Sequence, residues 1–375
     1  MKVNQRARTL LILCPYPPQK APSQRFRFEQ YLPWLREQGW EIKQVAFLSD
    51  KAWAILYQPG RRLRKILAVV AGFFRRINHV FKARKYEVVM IHREASPIGP
   101  PVVEWFIARV LKKPIIYDFD DAIWMPDAKR VLNSVKCYGK IPYIIKWSAA
   151  VSAGNDYLAN YAAQYNDNVV INPTTIDLEK QGCQRKKHTA VRPVVIGWTG
   201  SHSTLRYLDQ LTPVLKKITE EGVIELLIIS NKKPEIEVDY RFVPWNAASE
   251  VEDLLQMDVG IMPLEDSEWA KGKCGFKALQ YMSLGIPALV SPVGVNRMVV
   301  QHEVSGYWCQ TLEEWEDAIR TLATDEGKRI SMGNNAFSFI RQTYATEANR
   351  MNMLTILDEV RCRSELSFPF SFNKG

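Results

Sequence analysis

The sequence predicts an α/β fold of two doubly wound, Rossmann-like domains facing across a cleft. Length is the first reason. At roughly 150 residues per domain, a chain of 375 residues makes two domains rather than one. The second is a repeated alternation of short β-branched runs with helical patterns, which implies βαβ units. The third is that these runs are apolar nearly end to end, as strands buried on both faces of a parallel sheet must be.

In chain order, the first half gives strands at Thr9–Cys14, Val88–His92, Pro114–Phe119 and Val169–Asn172. The second half gives Pro193–Trp198, Ile224–Ser230, Tyr240–Val243, Val259–Leu264 and Pro287–Ser291. After Trp198 an apolar stripe runs Leu205, Leu208, Leu211, Leu215, Ile218, the period of a helix, and Pro213 within it predicts a kink. Gly275–Leu284 reads as a short helix closed by Gly285 and Pro287. Thr311–Thr324 and Thr346–Arg361 read as amphipathic helices. The stretch 173–192 is polar and basic without a hydrophobic period. The predicted organisation is therefore a domain over 1–175, a linker over 176–192, a domain over 193–343 and a terminal helical segment over 344–375.

Composition narrows the function classes. Hydrophobic residues are 47% and charged residues 24%, which excludes wholesale disorder and low-complexity fibres. The six cysteines are scattered, with no C-x-x-C pair, against both a disulfide scaffold and a zinc ribbon. Free thiols point to a reducing cytoplasm. No secretory signal is visible, and the longest stretch without a formal charge, Ala278–Asn296, carries two prolines and two glycines and reads as helix-turn-strand rather than a membrane span. The net charge of +10 favours anionic partners: nucleotide phosphates, anionic lipid or nucleic acid.

Ligands of open parallel sheets collect beyond the carboxyl ends of the strands, so polar residues there are the candidates. Gly200–Ser203 follows a strand and opens a helix, with Ser201 or Ser203 as its cap; free N–H groups at such a turn bind phosphate. The bland alternative is an ordinary strand-to-helix turn. Lys273, Lys277 and Gln280 are spaced four and three apart and share one face if the first turn is helical. Two lysines at the start of a helix oppose its dipole, and an anion between them removes the conflict; a solvated basic face is the alternative. Asp118, Asp120 and Asp121 cluster at a strand end, where alternation puts Asp118 and Asp120 on one face and Asp121 on the other. Such carboxylates accept protons or bind hydroxyls. Asp118-Phe119-Asp120 also fits a three-letter metal pattern, and Asp121 fits a helix cap. Arg25 and Arg27, after the first strand, suit an anionic acceptor or a helix surface equally.

Residues 61–85 hold nine Lys or Arg and no acid, interleaved with Ile66, Leu67, Val69, Val70, Phe73, Phe74, Ile77, Val80 and Phe81. This is the pattern of a basic amphipathic helix lying in a membrane interface; the alternative is a core helix with solvated basic ends. Its aromatic residues lie on the apolar side and not between the charges as stacking platforms, which argues against nucleic acid as a partner. The five histidines show no metal spacing, and G-x-S-x-G, G-x-G-x-x-G and Walker A patterns are missing.

Taken together, IGWTGS, VGIMPL and GKCGFKALQYMSLGIPALVSPVGVN in the second half, with ILCPYPPQKAPSQRFRFEQYLPWLREQGWEI and PIIYDFDDAIW in the first, resemble glycosyltransferase family 4, of the GT-B fold and the glycosyl transferases group 1, in its divergent bacterial surface-polysaccharide form. The resemblance covers nearly the whole chain and is strongest over 193–296. It implies retaining transfer of a sugar, of the hexosyl type, from a nucleotide-sugar donor without an essential metal or other cofactor. Donor binding falls to the second domain, acceptor binding to the first, and the terminal helix crosses back to the first. A glycan or lipid-linked acceptor and a peripheral place on the inner face of the cytoplasmic membrane follow from the same likeness.

The family's two motif glutamates, eight positions apart, correspond here to Gly272 and Gln280, and its phosphate-binding Arg to Trp198. The resemblance then leaves Lys273, Lys277 and the Gly200–Ser201 backbone for the donor diphosphate, Gln280 for ribose and Trp245 for the base. Asp120 takes the slot of the family's histidine, with Asp118 or Asp121 beside it orienting the acceptor hydroxyl, and domain closure would exclude water. A non-catalytic sugar-nucleotide or glycan-binding protein on the same fold is the rival that the lost glutamates motivate.

Overall fold

The computed structural model describes residues 8–56, 58, 60–126, 133–181, 183–188 and 193–366. The chain forms two units, Met1–Thr174 with Asn349–Gly375, and Thr175–Ala348.

Unit 1 holds a six-stranded sheet: β1 (Arg8–Cys14), β2 (Trp40–Ala46), β3 (Val88–His92), β4 (Ile115–Phe119), β5 (Ala150–Ala153) and β6 (Val169–Ile171). Every pair is parallel and the order is β2-β1-β3-β4-β5-β6, so the strand order reverses between β1 and β3. β3, β4 and β5 are buried along their whole length, in keeping with their apolar runs. The core on one face joins Leu10, Ile12, Val88, Met90 and Ile116 to Phe28, Tyr31 and Leu35, and to Met353, Ile356, Leu357 and Val360. The last four come from the helix Thr346–Leu366. Each such buried side chain contributes roughly 1.5–3 kcal/mol, which is why the end of the chain belongs to unit 1 although its sequence follows unit 2.

Unit 2 holds β7 (Val194–Gly200), β8 (Ile224–Ser230), β9 (Arg241–Pro244), β10 (Val259–Met262), β11 (Ala288–Val290) and β12 (Gly306–Trp308). It too is all parallel, in the order β12-β11-β10-β7-β8-β9, the dinucleotide-fold order, which reverses between β7 and β10. Unit 1 instead has the flavodoxin-like order. In both, the reversal marks the place where diverging helices leave a crevice at the strand ends.

Four strands differ most from the sequence expectation. β2, β5 and β12 are not in the predicted set, and β7 runs on to Gly200. β2 (WEIKQVA) and β12 (GYW) are edge strands, so neither needs an unbroken apolar run, while β5 (AVSA) is made of small residues. The Leu205–Ile218 helix is two helices, Arg206–Asp209 and Thr212–Glu220, and Pro213 sits in the first turn of the second. A proline costs nothing there, so the predicted kink is instead a fresh start. Of the stretch expected to be a linker, residues 183–188 are tied into unit 2: Lys186 Nζ pairs with Asp258 at 2.9 Å and His188 Nε2 meets the Gly285 carbonyl at 3.0 Å. Gly182 and 189–192 lie outside the described residues.

Candidate functional site

The parallel register of unit 1 lays His92, Asp118 and Ser152 in one row across β3, β4 and β5. His92 Nδ1 and Ser152 Oγ each lie 2.7 Å from the Asp118 carboxylate. Arg27 closes the row, pairing with Asp118 and donating to the Asn172 carbonyl and, at 3.3 Å, to Ser152 Oγ. Arg27, His92, Asp118 and Ser152 are all 0% exposed. Burial alone would raise the Asp118 pKa; the Arg27 charge and the hydrogen bond with His92 outweigh it and hold the carboxyl far below its usual range. Two expectations change here. Asp118 is a buried counter-ion, and Arg27, expected at an acceptor, neutralises it from inside the unit. Arg25 remains half-buried in the short helix Pro22–Arg25, its guanidinium 4.8 Å over the Phe26 ring.

The two other aspartates go together. Arg93, just past β3, donates from Nε to Asp120 at 2.7 Å and from Nη2 to Asp121 at 2.6 Å. Alternation therefore fails past Phe119: the chain has left the strand, and one guanidinium gathers both carboxylates. Arg93 has φ 57°, a left-handed conformation costly for a side chain. Its amide bonds to the Asp118 carbonyl at 2.7 Å and its carbonyl accepts from Tyr117 Oη at 2.6 Å, so the strained backbone is fixed from both sides. Burial opposes ionisation of Asp120, yet Arg93 and then His92 lower its pKa. The two carboxylates in turn hold the Arg93 guanidinium well above its ordinary value, against the effect of burial. Asp120 and Asp121 keep 12% and 23% side-chain exposure, so this pair of side chains reaches solvent where Asp118 does not. Nothing in the sequence marked Arg93 or His92; only the register of β3 against β4 brings them to the aspartates.

In unit 2 the corresponding row is Gly200, Ser230 and Pro244, at the ends of β7, β8 and β9. The helix Phe276–Ser283 starts at Gly275, φ 65°, and is docked by Tyr281, whose hydroxyl accepts from the Thr199 amide at 3.0 Å. Lys277 in its first turn lies 5.5 Å from the centre of the buried Trp198 ring. Gly200 is where this contact requires glycine: a Cβ there would stand 2.6 Å from the Trp198 ring and 2.8 Å from Lys277 Cε. Gly200 and Lys277 are thus brought together at the β7 reversal point. Lys273 is not on the helix. It precedes Gly275 and turns to Trp269, 5.5 Å from that ring centre, so the shared face expected for both lysines does not form. Ser201 leads the turn His202–Thr204 and makes no side-chain cap; the His202 amide bonds instead to Asn231 Oδ1 at 2.9 Å. Gln280 is 4% exposed and donates to Glu250 Oε1 at 3.3 Å. Trp245 Nε1 donates to the same oxygen at 3.1 Å. Glu250, which sequence reasoning missed, is what joins Gln280 to Trp245. Gly272 ends the helix Glu268–Lys271 and offers no side chain.

A different surface belongs to the helix Arg62–Lys82. Val69 and Phe73 pack on Phe47, and Gly72 lets that ring approach to where a Cβ would be 2.5 Å away. Buried Arg76 anchors the helix through the carbonyls of Cys14 (2.9 Å), Val45 (3.3 Å) and Ala95 (2.7 Å). The opposite stripe, Leu63, Ile66, Leu67, Val70, Phe74, Ile77 and Phe81, is exposed, with Leu63 and Phe74 at 70%. Phe81 contacts Phe106 edge-on at 6.3 Å, and Val102 and Trp105 beside it are exposed as well. No described helix is long and apolar enough to cross a membrane. Among the described residues no group of three or more His, Cys, Asp or Glu side chains could hold a metal ion.

Comparison with known proteins bears on these two sheets. Residues 190–339 match the family model of glycosyl transferases group 1. Sucrose-phosphate synthase from Thermosynechococcus elongatus is similar in structure at a TM-score of 0.71 and 13% identity, over 96% of this chain and 100% of that one. Alr3699/HepE from Anabaena, solved with UDP-glucose, gives 0.63 and 14% over 94% and 99%. A glycosyltransferase from Rickettsia africae ESF-5 gives 0.65 and 10% over 95% and 99%. No curated protein matches significantly in sequence.

Proposed function

We propose, from the premise that the chain has the GT-B fold and carries a glycosyl transferases group 1 domain at residues 190–339, that it is a retaining hexosyltransferase. It moves a sugar from a nucleotide-sugar donor to a glycan or lipid-linked acceptor in bacterial cell-surface polysaccharide synthesis. The observation that carries this reading is the meeting of Gly200 and Lys277 at the strand-order reversal of the matched domain. A lysine held beside a glycine turn suits a diphosphate, and its charge stabilises the leaving group as the glycosidic bond to phosphate breaks. Similarity to a structure holding UDP-glucose favours a nucleotide-sugar donor. No metal or other cofactor is part of this proposal.

Asp120 is the group we assign to the acceptor hydroxyl. Kept ionised by Arg93, it accepts a hydrogen bond and cannot serve as the acid. The test is release of nucleoside diphosphate from UDP-, GDP- or ADP-hexoses in the presence of lipid-linked acceptors. Asp120→Asn is expected to lower kcat about 10²- to 10⁴-fold with donor affinity unchanged. The absence of a side chain at Gly272 favours the rival, a non-catalytic donor-binding protein, which predicts tight donor binding and no turnover with any acceptor.

The exposed stripe of Arg62–Lys82 supports a peripheral position on the inner face of the cytoplasmic membrane. With nine basic residues and no acid in 61–85, each Lys or Arg near anionic lipid adds about 1 kcal/mol. The chain is expected to sediment with phosphatidylglycerol vesicles and to remain in solution with phosphatidylcholine alone. Phe74→Glu/Ile77→Glu should lose at least about tenfold in vesicle affinity without loss of fold. A wild-type chain indifferent to the anionic vesicles would refute the assignment.

A further inference from the structure

We infer that Glu250 is the ribose-reading carboxylate of the donor site, so that the chain selects ribonucleoside over 2′-deoxyribonucleoside diphosphates. The inference rests on unit 2 being the donor site. Lys277 and Gln280 lie on one helix, three residues and so ~4.5 Å apart along its axis. Glu250 and Trp245 join at the Gln280 end, and the Trp245 amide is fixed to the Ser230 carbonyl at 3.0 Å. Beside it, Ser230 Oγ is fully buried with no hydrogen-bond partner among the described residues. The helix Phe276–Ser283, the start of the helix Glu250–Leu254 and the chain just past β9 thus present a cation and an amide, a carboxylate, and a half-buried indole.

A nucleoside diphosphate offers the complementary groups: an anion, a vicinal diol, an aromatic base. The amide nitrogen of Gln280 is engaged with Glu250, which leaves its carbonyl as the amide's acceptor. Two adjacent hydroxyls are better met by a carboxylate, which accepts several hydrogen bonds and makes them charge-assisted. Gln280 and Trp245 both donate to Glu250 Oε1, holding that carboxylate in place before any ligand arrives. Such a site disfavours a sugar lacking the 2′-hydroxyl, because one charge-assisted hydrogen bond to the carboxylate is then not formed.

The test is calorimetric titration of the full chain with UDP, GDP and ADP and with their 2′-deoxy counterparts. Wild type is expected to bind one ribonucleotide at least about tenfold tighter than its deoxy form. Glu250→Gln should weaken the ribonucleotide by a similar factor, leave the deoxy form little changed and so bring the ratio near unity. The exchange Glu250→Gln/Gln280→Glu returns a carboxylate to the same contact and should restore the preference, which a role in folding alone would not do. Equal binding of both forms by wild type, or an unchanged ratio in a folded Glu250→Gln variant, overturns the inference and leaves the donor site standing. Binding of none of the six nucleotides overturns the donor site itself.

Discussion

Lys277→Ala is expected to weaken nucleoside diphosphate binding by about 10- to 100-fold while shifting the melting temperature of the free protein very little. A charge-assisted hydrogen bond to phosphate contributes about 1.5–3 kcal/mol, which is that range of affinity. The free protein gains little from the residue, because a cation in the first turn of the Phe276–Ser283 helix faces the positive end of the helix dipole. Its ammonium lies over the face of Trp198, a contact of roughly 0.5–2 kcal/mol. Binding of an anion removes the conflict with the dipole, so the loss appears in the complex. Thermal shift against UDP, GDP, ADP, dTDP and CMP reads it directly, since ligand stabilisation follows mass action. Lys273→Ala is the control. Set off the helix beside Trp269, it should cost less than Lys277→Ala; the reverse order would move the phosphate site to the loop before Gly275.

Asp118→Asn is expected to destabilise unit 1 by about 3–5 kcal/mol, the usual cost of leaving a buried charge without its partner. Arg27 is that charge, fully buried, paired with Asp118 and donating to Ser152 Oγ and the Asn172 carbonyl. Arg27→Met should cost a comparable amount, and Arg27→Met/Asp118→Leu less than the sum of the single changes, because neither charge then remains. Urea denaturation at pH 7 measures all three. The pH dependence has a definite sign. The Asp118 carboxyl is depressed in the folded chain, so its contribution is complete above the unfolded value of about 4 and is lost as pH falls through the lower folded value. If the aspartate instead sat at an acceptor site, Asp118→Asn would spare stability and impair turnover.

Most strands in the middle of each sheet were legible in the sequence because burial on both faces demands unbroken apolar runs, as in VVMIH and IELLIIS, whereas the small residues of β5 (AVSA) make no such run. β2 escaped notice because an edge strand tolerates the lysine and glutamine of WEIKQVA. Gly200, Lys277 and Gln280 were legible as residues after strands and on one helical face, and they do meet or adjoin. Lys273 was misplaced because Gly275, in the left-handed conformation, begins the helix two residues later than the four-residue spacing assumed. Arg93, His92 and Glu250 were illegible for a common reason. Each acts through a residue distant in sequence, Arg93 on Asp120, His92 on Asp118 and Glu250 on Gln280, and only strand register or chain folding defines that pairing.

The row His92–Asp118–Ser152 also works as a key for assembly. Apolar strands such as β4 are weakly discriminating: IIYDF slid by one position against VVMIH still buries apolar side chains against apolar side chains. The single carboxylate breaks that degeneracy. A slip by one residue puts Tyr117 or Phe119 between His92 and Ser152, turns the carboxylate to the opposite face of the sheet, and takes the counter-charge away from the buried Arg27 guanidinium. Mispaired forms of this sheet are therefore penalised by whole ionic charges instead of by small differences in packing, and the central strand has one register in which the chain can close.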